Sequence, residues 1–412
     1  MIKVCNAIMG SGKSSAAITY INENPEEKFI YITPFLEEAH RIKSSCPQSR
    51  FVEPNSKIGK YHFRKIIHTE ALIEEGRNIT TTHQAFKRYT KDMLKKINEL
   101  GYILIIDENV DVLDKMKASS YDLKLVIDNG FMREEDGVYR ITDKKYEGEA
   151  LKYELLDLAK SRDLIKVTDS SEILYYWTLP ADLLSSFKDV YILTYMFESQ
   201  SLYKFIRMND LPFEYIGVEK DKEGVYRFID HVGKMPEYVK SLGEKIHILD
   251  NCRMNSIGAD KYALSISWYQ RDGSDVEQLK NNIANCYKNV WDVPTSKRLW
   301  GTYKTVFGKT KGKGYTKAFL CFNSKALNSF RDRTCLVYAV NVFMNVSEKK
   351  FYEKFGIEVN EDDYALSIML QWIWRSAIRD GKDIYIYIPS KRMRTLLVNW
   401  INSVGREVDM VE

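Results

Sequence analysis

A glycine-rich run close to the N-terminus constrains this chain more than any other feature. An apolar strand is predicted over residues 2–7, the run Ala7-Ile-Met-Gly-Ser-Gly-Lys-Ser14 follows it, and a helical stretch begins at Ser15. In this order of strand, loop and helix, backbone N–H groups and the helix N-terminus point together at a bound phosphate. The run therefore predicts a phosphate site at the carboxyl end of the first strand of an α/β sheet.

Each position of this phosphate loop has an expected role in binding a nucleotide. Gly10 and Gly12 let the backbone turn its N–H groups inward, Lys13 reaches the outer phosphates, and the Ser14 hydroxyl coordinates Mg²⁺. The alternative is a chance Gly-Ser turn in front of a helix. We expect ATP and Mg²⁺ as cofactors, held by Gly10, Ser11, Gly12, Lys13, Ser14 and Ser15.

A second run, Ile103-Leu-Ile-Ile-Asp-Glu108, has the apolar character of a buried central strand and ends in two carboxylates. Asp107 is predicted to bind Mg²⁺, and Glu108 is predicted to orient and deprotonate an attacking water. The alternative is an acidic pair that opens a solvated loop, which is common. Combined with the phosphate loop, the two carboxylates favour hydrolysis of a nucleoside triphosphate over phosphoryl transfer to a small acceptor.

Apolar runs alternate with helical stretches along the chain. This pattern is typical of α/β proteins with doubly wound parallel sheets that are covered by helices. In the first half, strands are predicted over residues 2–7, 29–33, 78–82, 102–107 and 190–194. In the second half, strands are predicted over residues 245–250, 317–322, 336–342 and 383–388.

The length of 412 residues allows two or three domains. We predict a first domain over residues 1–212, a connector over residues 213–240 and a second domain over residues 241–412. Residues 111–189 separate two predicted strands of the first domain, so we interpret them as an insertion that contains a charged helix near residues 147–161.

A helix is predicted over residues 363–381, with Gly381 as its natural stop. Gln371, Arg375 and Arg379 recur at i, i+4 and i+8, so one stripe of this helix is expected to carry all three. An arginine delivered from a second domain stabilises transition-state charge on a transferred phosphate. The three side chains are therefore predicted to be catalytic, and the alternative is a solvated helix face.

The net charge of +4 is too small to attract nucleic acid by itself, so binding must depend on local patches. Residues 297–317 mix basic side chains with aromatics and glycines, a composition that suits phosphate contacts and base stacking. We expect a mobile arm in which Lys309, Lys311 and Lys313 contact phosphates. The alternative is a basic loop whose aromatic side chains are buried.

The six cysteines include no C-x-x-C pair and no histidine at metal-ligand spacing, so we expect reduced thiols rather than a zinc module or disulfides. No run approaches about 18 consecutive apolar residues, and the N-terminal residues lack the regions of a signal peptide. We therefore expect a cytoplasmic protein without a membrane partner.

These motifs resemble those of superfamily 2 helicases and translocases, in particular the helicase-like proteins of tailed bacteriophages. The phosphate loop and the Asp-Glu pair match the first two motifs, and the two arginines look like the sixth. Three further runs are similar to other motifs of the superfamily: Tyr31-Ile-Thr-Pro34, Thr80-Thr-Thr-His-Gln-Ala-Phe86 and Leu193-Thr-Tyr-Met-Phe197. More specific counterparts in the phage group are Lys311-Gly-Lys-Gly-Tyr-Thr-Lys317, Asn328-Ser-Phe-Arg-Asp-Arg333, Trp372-Ile-Trp-Arg-Ser-Ala-Ile-Arg379 and Ile388-Pro-Ser-Lys-Arg-Met-Arg394.

The resemblance implies two RecA-like domains with ATP and Mg²⁺ between them and one nucleic-acid strand gripped by both. Suitable donors stand at predicted strand ends, although each such side chain is also a common helix cap. The residues expected to contact nucleic acid there are Thr33, Pro34, Thr81, Thr82, His83 and Gln84. DNA is favoured over RNA only because of the resemblance to the phage group. That resemblance also implies that the protein acts in the host cytoplasm and has phage or host replication proteins as further partners. A base-reading motif ahead of the phosphate loop is not expected, which predicts weak choice of nucleobase.

The leading interpretation is an ATP-dependent DNA helicase or translocase that acts in phage DNA replication or recombination. The alternative is a nucleotide-switched clamp that closes on DNA or a protein, hydrolyses ATP slowly and does not unwind. A small-molecule kinase is a third interpretation, which leaves the second domain and its arginines unexplained. Stimulation of ATP hydrolysis by single-stranded DNA separates the first two.

Overall fold

The computed structural model divides the chain into two compact units. The first unit comprises the described residues of Met1–Gly233 and Val346–Val359, and the second comprises those of Lys234–Asn345 and Asn360–Glu412. The residues that the structure describes are 1–57, 59, 64–144, 152–169, 172–230, 239, 241–271, 273, 275–324 and 328–406.

Strands and helices alternate through much of both units. In chain order, the strands are β1 (Ile2–Asn6), β2 (Phe29–Thr33), β3 (Ile79–Thr82), β4 (Ile103–Asp107), β5 (Asp114–Lys115), β6 (Met132–Glu135), β7 (Val138–Ile141), β8 (Asp163–Asp169), β9 (Glu172–Thr178), β10 (Asp189–Thr194), β11 (Phe213–Lys220), β12 (Tyr226–Ile229), β13 (Ile246–Ile248), β14 (Arg298–Gly301), β15 (Cys335–Tyr338) and β16 (Ile384–Tyr387). The α-helices are α1 (Lys13–Glu23), α2 (Leu36–Ser45), α3 (Lys65–Glu74), α4 (His83–Phe86), α5 (Lys91–Leu100), α6 (Ser120–Asp128), α7 (Lys152–Ala159), α8 (Ser201–Met208), α9 (Leu242–Lys245), α10 (Cys252–Asn255), α11 (Ile266–Gln270), α12 (Val276–Asn285), α13 (Phe307–Thr310), α14 (Val346–Lys354), α15 (Glu361–Ile373) and α16 (Lys391–Arg406). None of these helices is both long and apolar enough to cross a membrane.

The first unit is built on a seven-stranded sheet in the order β12-β11-β1-β10-β4-β2-β3. Its strand pairs are parallel except the pair of β11 and β12 at one edge. Successive side chains of β2 and β4 enter two separate cores, because strand side chains alternate between the faces of a sheet. The predicted α/β class with parallel sheets is therefore confirmed, and the five predicted strands of the first half end within one residue of the observed ones.

The predicted connector over residues 213–240 is wrong for its first part. Strand β11 pairs in parallel with β1, and β12 returns beside β11, so residues 213–229 extend the main sheet. The apolar signal was weak because β11 is buried only in its middle and ends in exposed Glu219 and Lys220. Residues 231–238 and 240 of the predicted connector lie outside the described residues.

The segment interpreted as an insertion contains a separate antiparallel sheet in the order β5-β9-β8-β7-β6. This sheet has its own core, in which Leu123 of α6 packs with Tyr139 and Trp177. The predicted charged helix is observed as α7, whereas residues 147–151 of that prediction lie outside the described residues.

A helix from the second half of the chain belongs to the first unit. Phe351 of α14 is fully buried, its ring centroid lies 5.3 Å from that of Tyr176, and Lys354 donates to the carbonyl of Lys166. The predicted second domain is therefore not continuous in sequence, because residues 346–359 pack with the first unit.

The second unit contains a four-stranded sheet in the order β13-β16-β15-β14, with all pairs parallel. The strand predicted over residues 317–322 is wrong, since Phe319 forms only an isolated bridge with Trp300. The strand beside β15 is instead β14, which lies inside the segment expected to be a mobile arm.

The basic segment 297–317 is packed structure rather than a mobile arm. Trp300 is fully buried, lies 5.1 Å from Tyr315 and 6.0 Å from Phe307 between ring centroids, and donates its indole N–H to the Tyr315 carbonyl. The prediction of mobility is therefore wrong, and the alternative with buried aromatics describes this segment. Its exposed side chains include Lys304, Lys309, Lys311, Lys313 and Lys317.

Trp300→Ala tests whether the segment is packed. We expect the free energy of unfolding of the second unit to fall by about 3–5 kcal/mol, as for other buried aromatic truncations. The exposed Lys309→Ala serves as the matched control and should change it by less than about 0.5 kcal/mol. Chemical denaturation measures both, and equal midpoints for the two variants would show that the tryptophan does not hold a packed core.

Candidate active site

The phosphate loop joins β1 to α1 through two glycines in left-handed backbone conformations. Gly10 has φ +87° and Gly12 has φ +94°, values that L residues with side chains rarely adopt. Gly12 is the residue before the first turn of α1, and its carbonyl accepts from the Ala16 N–H at 2.8 Å. The loop can therefore close tightly only with glycine at these positions.

Lys13 lies folded inside this loop. Its ammonium donates to the main-chain carbonyls of Ala7 and, at 2.9 Å, Ile8. Burial lowers the pKa of the Lys13 ammonium, and the charges of Asp107 and Glu108 oppose this shift. The Lys13 ammonium is thus held in the loop as a charged hydrogen-bond donor, and an anion can replace the two carbonyls as its acceptor.

Asp107 ends β4, is 8% exposed, and meets the phosphate loop directly. Its Oδ2 accepts from the Ser14 hydroxyl at 3.1 Å and from the Tyr31 hydroxyl at 3.0 Å. Burial raises the pKa of Asp107 to about 7, and the charges of Glu108 and Glu38 act in the same direction. The two motifs therefore converge on one buried carboxyl.

Glu108 leaves the strand in an unusual backbone conformation. Its φ is +63°, the left-handed region that few residues other than glycine occupy, while its N–H donates to the Leu193 carbonyl at 3.0 Å. Residues held in this region cost energy and occur often at functional sites. Strand β4 thus ends at Asp107, and Glu108 begins the turn that follows it.

Tyr31 is a site residue to which the sequence analysis gave no role. It is fully buried in β2 and opposite Ile105 of β4, and strand alternation puts Asp107 on the same face as Ile105. A hydroxyl in the otherwise apolar run Phe29–Ile32, combined with the pairing of β2 and β4, is the signal that could have identified it.

The strand-end residues predicted to contact nucleic acid lie at one edge of the sheet, where Thr33 pairs with Thr82. Thr33 and Thr81 are 0% exposed, and His83 is 6% exposed. The Nε2 of His83 lies 2.8 Å from the Asp107 carbonyl oxygen. These three side chains are buried, so they offer little side-chain surface for the predicted contacts with nucleic acid.

Three members of the predicted contact set remain accessible. Pro34 and Thr82 are partly buried, and Gln84 is exposed at the start of α4. These residues follow β2 and β3 at the carboxyl edge that also carries the phosphate loop.

The predicted arginine helix ends earlier than expected. Helix α15 stops at Ile373, Ser376 is extended with φ −90° and ψ −171°, and a 3₁₀ turn covers Ala377–Asp380. The Ser376 hydroxyl donates to the Ile373 carbonyl at 2.6 Å, a local bond that competes with continuation of a helix.

The common stripe of Gln371, Arg375 and Arg379 is consequently wrong. Gln371 lies on α15 and is partly buried, Arg375 is only 6% exposed, and Arg379 is exposed on the 3₁₀ turn. The two arginines therefore occupy different environments.

The donor set of the loop fits a phosphate group and Mg²⁺. Ser14 and Asp107 place a hydroxyl and a carboxylate oxygen side by side, which suits Mg²⁺ because that ion takes few protein oxygens and shares phosphate oxygens. The buried Ser11 hydroxyl has no hydrogen-bond partner among the described residues, so this loop can offer it to a ligand. Ser15 lies in the first turn of α1 and is partly buried.

Comparison with known proteins finds that this chain is similar in sequence to a prophage protein. The family model described as the YonV C-terminal Rossmann-like domain matches residues 240–401. The SPbeta prophage-derived uncharacterized protein YonV of Bacillus subtilis (strain 168) is 38% identical over 413 residues, which cover 98% of this chain and 99% of the relative. The prophage origin of this relative agrees with the predicted resemblance to phage proteins.

Solved structures with a similar backbone fold include two XPD proteins. An apo structure of XPD has a TM-score of 0.49 at 10% identity and covers 97% of this chain and 95% of its own. The structure of Xpd4 from S. tokodaii has a TM-score of 0.48 at 12% identity and covers 97% and 94%.

Asp107→Asn tests the buried carboxyl. Because the pKa is about 7 in the folded state against a usual 3.8, the contribution of the protonated carboxyl to stability is fully present below pH 3.8 and is lost as the pH rises through 7. Without added nucleotide or metal, the variant should gain about 2 kcal/mol in free energy of unfolding relative to the parent between pH 5 and pH 8. Denaturation at both pH values measures this gain.

Exposed Asp92→Asn is the matched control for removal of a carboxylate from the surface and should change the free energy of unfolding by less than about 0.5 kcal/mol. A pH-independent difference between the parent and Asp107→Asn would contradict the raised pKa.

Proposed function

The chain belongs to the YonV family, and we propose that it is a nucleoside triphosphatase of the helicase type, which uses ATP and Mg²⁺ to translocate on or unwind DNA. We further propose membership of superfamily 2 and a role in phage DNA replication or recombination in the host cytoplasm. The observation that carries the proposal is the hydrogen bond between Ser14 and Asp107, which are 93 residues apart in sequence.

The mechanism begins with the loop itself. Lys13 exchanges its two main-chain carbonyls for oxygens of the outer phosphates, and the N–H groups at the start of α1 bind the remaining charge. Mg²⁺, when bound, neutralises phosphate charge, and Ser14 and Asp107 are the residues that would hold it. Binding therefore exchanges hydrogen bonds from the ammonium to neutral carbonyls for hydrogen bonds to charged phosphate oxygens.

Glu108 supplies the base of the reaction. Its position after Asp107, turned out of the strand by its positive φ, suits a carboxylate that orients water and accepts its proton. Of the two arginines predicted to stabilise developing phosphate charge, Arg379 is exposed and Arg375 is buried.

Nucleic-acid binding is proposed for two surfaces, each within one unit. The first is the accessible strand-end set of Pro34, Thr82 and Gln84, and the second is the exposed lysine row of residues 304–317. The lysines stand on a packed aromatic scaffold, which supports a fixed row of phosphate contacts. DNA is favoured over RNA because the relative is encoded by a prophage.

Glu108→Gln and Lys13→Ala test the hydrolytic site. We expect Glu108→Gln to bind ATP but to hydrolyse it at least about a hundredfold more slowly, because the base is lost. Lys13→Ala should instead weaken nucleotide binding, because a charge-assisted contact is lost. Calorimetric titration with ATP and a steady-state phosphate-release assay measure the two defects.

Glu37→Gln, an exposed change on α2, is the matched control for the acid and should hydrolyse ATP at the parent rate. Parent-rate hydrolysis by Glu108→Gln would refute the role of the base. Addition of single-stranded DNA to the parent protein decides between functions, since strong stimulation supports a motor and DNA retention without turnover supports a nucleotide-switched clamp.

The combined change of Lys309, Lys311 and Lys313 to Ala tests the lysine row. Loss of three phosphate contacts should flatten the slope of log affinity against log salt by about 2 for single-stranded DNA. Fluorescence anisotropy across a salt series measures this slope. A matched triple change of exposed Lys43, Lys95 and Lys124 in the first unit should leave the slope unchanged, and equal slopes for both triples would remove the row from the binding surface.

A further inference from the structure

A tyrosine from the edge of the main sheet lies directly against the phosphate loop. A Cβ atom added to Gly12 would overlap the ring of Tyr226, so the bare glycine is needed for this close approach. The ring remains partly exposed. We propose that Tyr226 is the surface on which the base of the bound nucleotide stacks, an inference that rests on the proposed nucleotide-hydrolysing function.

The hairpin that carries Tyr226 is held firmly at its turn. The Asp221 carboxylate accepts from the N–H groups of Glu223 at 3.0 Å and Val225 at 2.8 Å, and the Asp221 N–H donates back to the Val225 carbonyl. Tyr226 is the first residue of β12 after this turn and pairs with Lys220 of β11. Its ring is thus placed by a fixed hairpin rather than by a loose loop.

The aromatic neighbours of the hairpin fix its face toward α1. Phe228 lies on the same side of β12 as Tyr226, because strand side chains alternate, and it stacks on Tyr191 at 5.3 Å between ring centroids. It also contacts Tyr20 of α1 at 6.2 Å. Phe228 therefore anchors the strand among aromatic side chains, while Tyr226 lies at the end of the same face that meets the phosphate loop.

The order of the sheet gives the direction in which a nucleotide must lie. Strands β10 and β4, with Asp107, are on one side of β1, and β11 and β12, with Tyr226, are on the other. A nucleotide whose outer phosphates meet Ser14 and Asp107 would extend to the other side of β1, toward Gly12. Its ribose and base would then reach the ring of Tyr226.

The chemistry at this position suits any nucleobase. An aromatic ring stacks on the flat face of every base, and it holds purines more firmly because their larger rings cover more area. The ammonium of Lys220, on the adjacent strand, lies over the Tyr226 ring at 5.6 Å from its centroid and brings positive charge to this side of the loop. Affinity then comes from stacking rather than from base-specific hydrogen bonds, which gives a physical basis for weak choice of base.

Tyr226→Leu tests the inference, since leucine keeps apolar bulk against Gly12 but cannot stack. Calorimetric titrations in Mg²⁺ compare two probes, ADP and inorganic triphosphate, which has no base. We expect the affinity of Tyr226→Leu for ADP to fall by about 5- to 150-fold, the range of one lost base stack, and its affinity for inorganic triphosphate to stay unchanged. Tyr226→Phe should bind both probes like the parent, because stacking does not need the hydroxyl.

Glu223→Gln, an exposed change in the turn of the same hairpin, is the matched control and should bind both probes like the parent. An equal loss of both probes in Tyr226→Leu would mean that the ring only supports the loop, and unchanged ADP binding would also overturn the inference. If the parent protein binds neither probe, the nucleotide function itself fails and the base site fails with it. If the parent binds both and only the Tyr226 result is negative, the nucleotide function stands and the base site alone is refuted.

Discussion

The buried carboxyl of Asp107 is the point on which the arrangement of the first unit depends. A carboxylate in this environment is costly unless it is paired or protonated, and here hydrogen bonds from Ser14 and Tyr31 satisfy one of its oxygens. These bonds join the start of α1, the middle of β2 and the end of β4. The phosphate loop and the acidic strand are thereby fixed relative to each other before any ligand arrives.

The raised pKa of Asp107 has a functional meaning in this context. Burial raises the pKa of this carboxyl to about 7, so it is only partly ionised at neutral pH. A divalent cation beside it would strongly favour the charged form. Binding of a cation and loss of a proton are then coupled. The loop lysine, held by the carbonyls of Ala7 and Ile8, interacts electrostatically with Asp107 and supplies a compensating positive charge.

Much of the first unit could be predicted from the sequence because its central strands are buried on both faces and read as continuous apolar runs. Strand β11 could not, since it is buried only in its middle and its last two residues are the exposed Glu219 and Lys220. Strand β14 was not predicted because basic and aromatic residues dominate the segment 297–317 that contains it, although Leu299 and Trp300 are buried. Periodicity likewise extended the predicted helix past Ile373, where α15 ends because of a serine hydroxyl and a local 3₁₀ turn.

In the site, the phosphate loop and the acidic pair were evident as motifs. The role of Tyr31 and the burial of Thr33, Thr81 and His83 were not, because they depend on which strands pair.

Residues 346–359 determine where the chain can be cut into separately folded fragments. The family model spans residues 240–401 without a break, yet Phe351 and Tyr352 within that span are buried in the first unit. A fragment cut at the ends of the family model would therefore carry two aromatic side chains away from the surface that covers them. The boundary that similarity defines and the boundary at which the polypeptide can be separated cleanly are different boundaries in this protein.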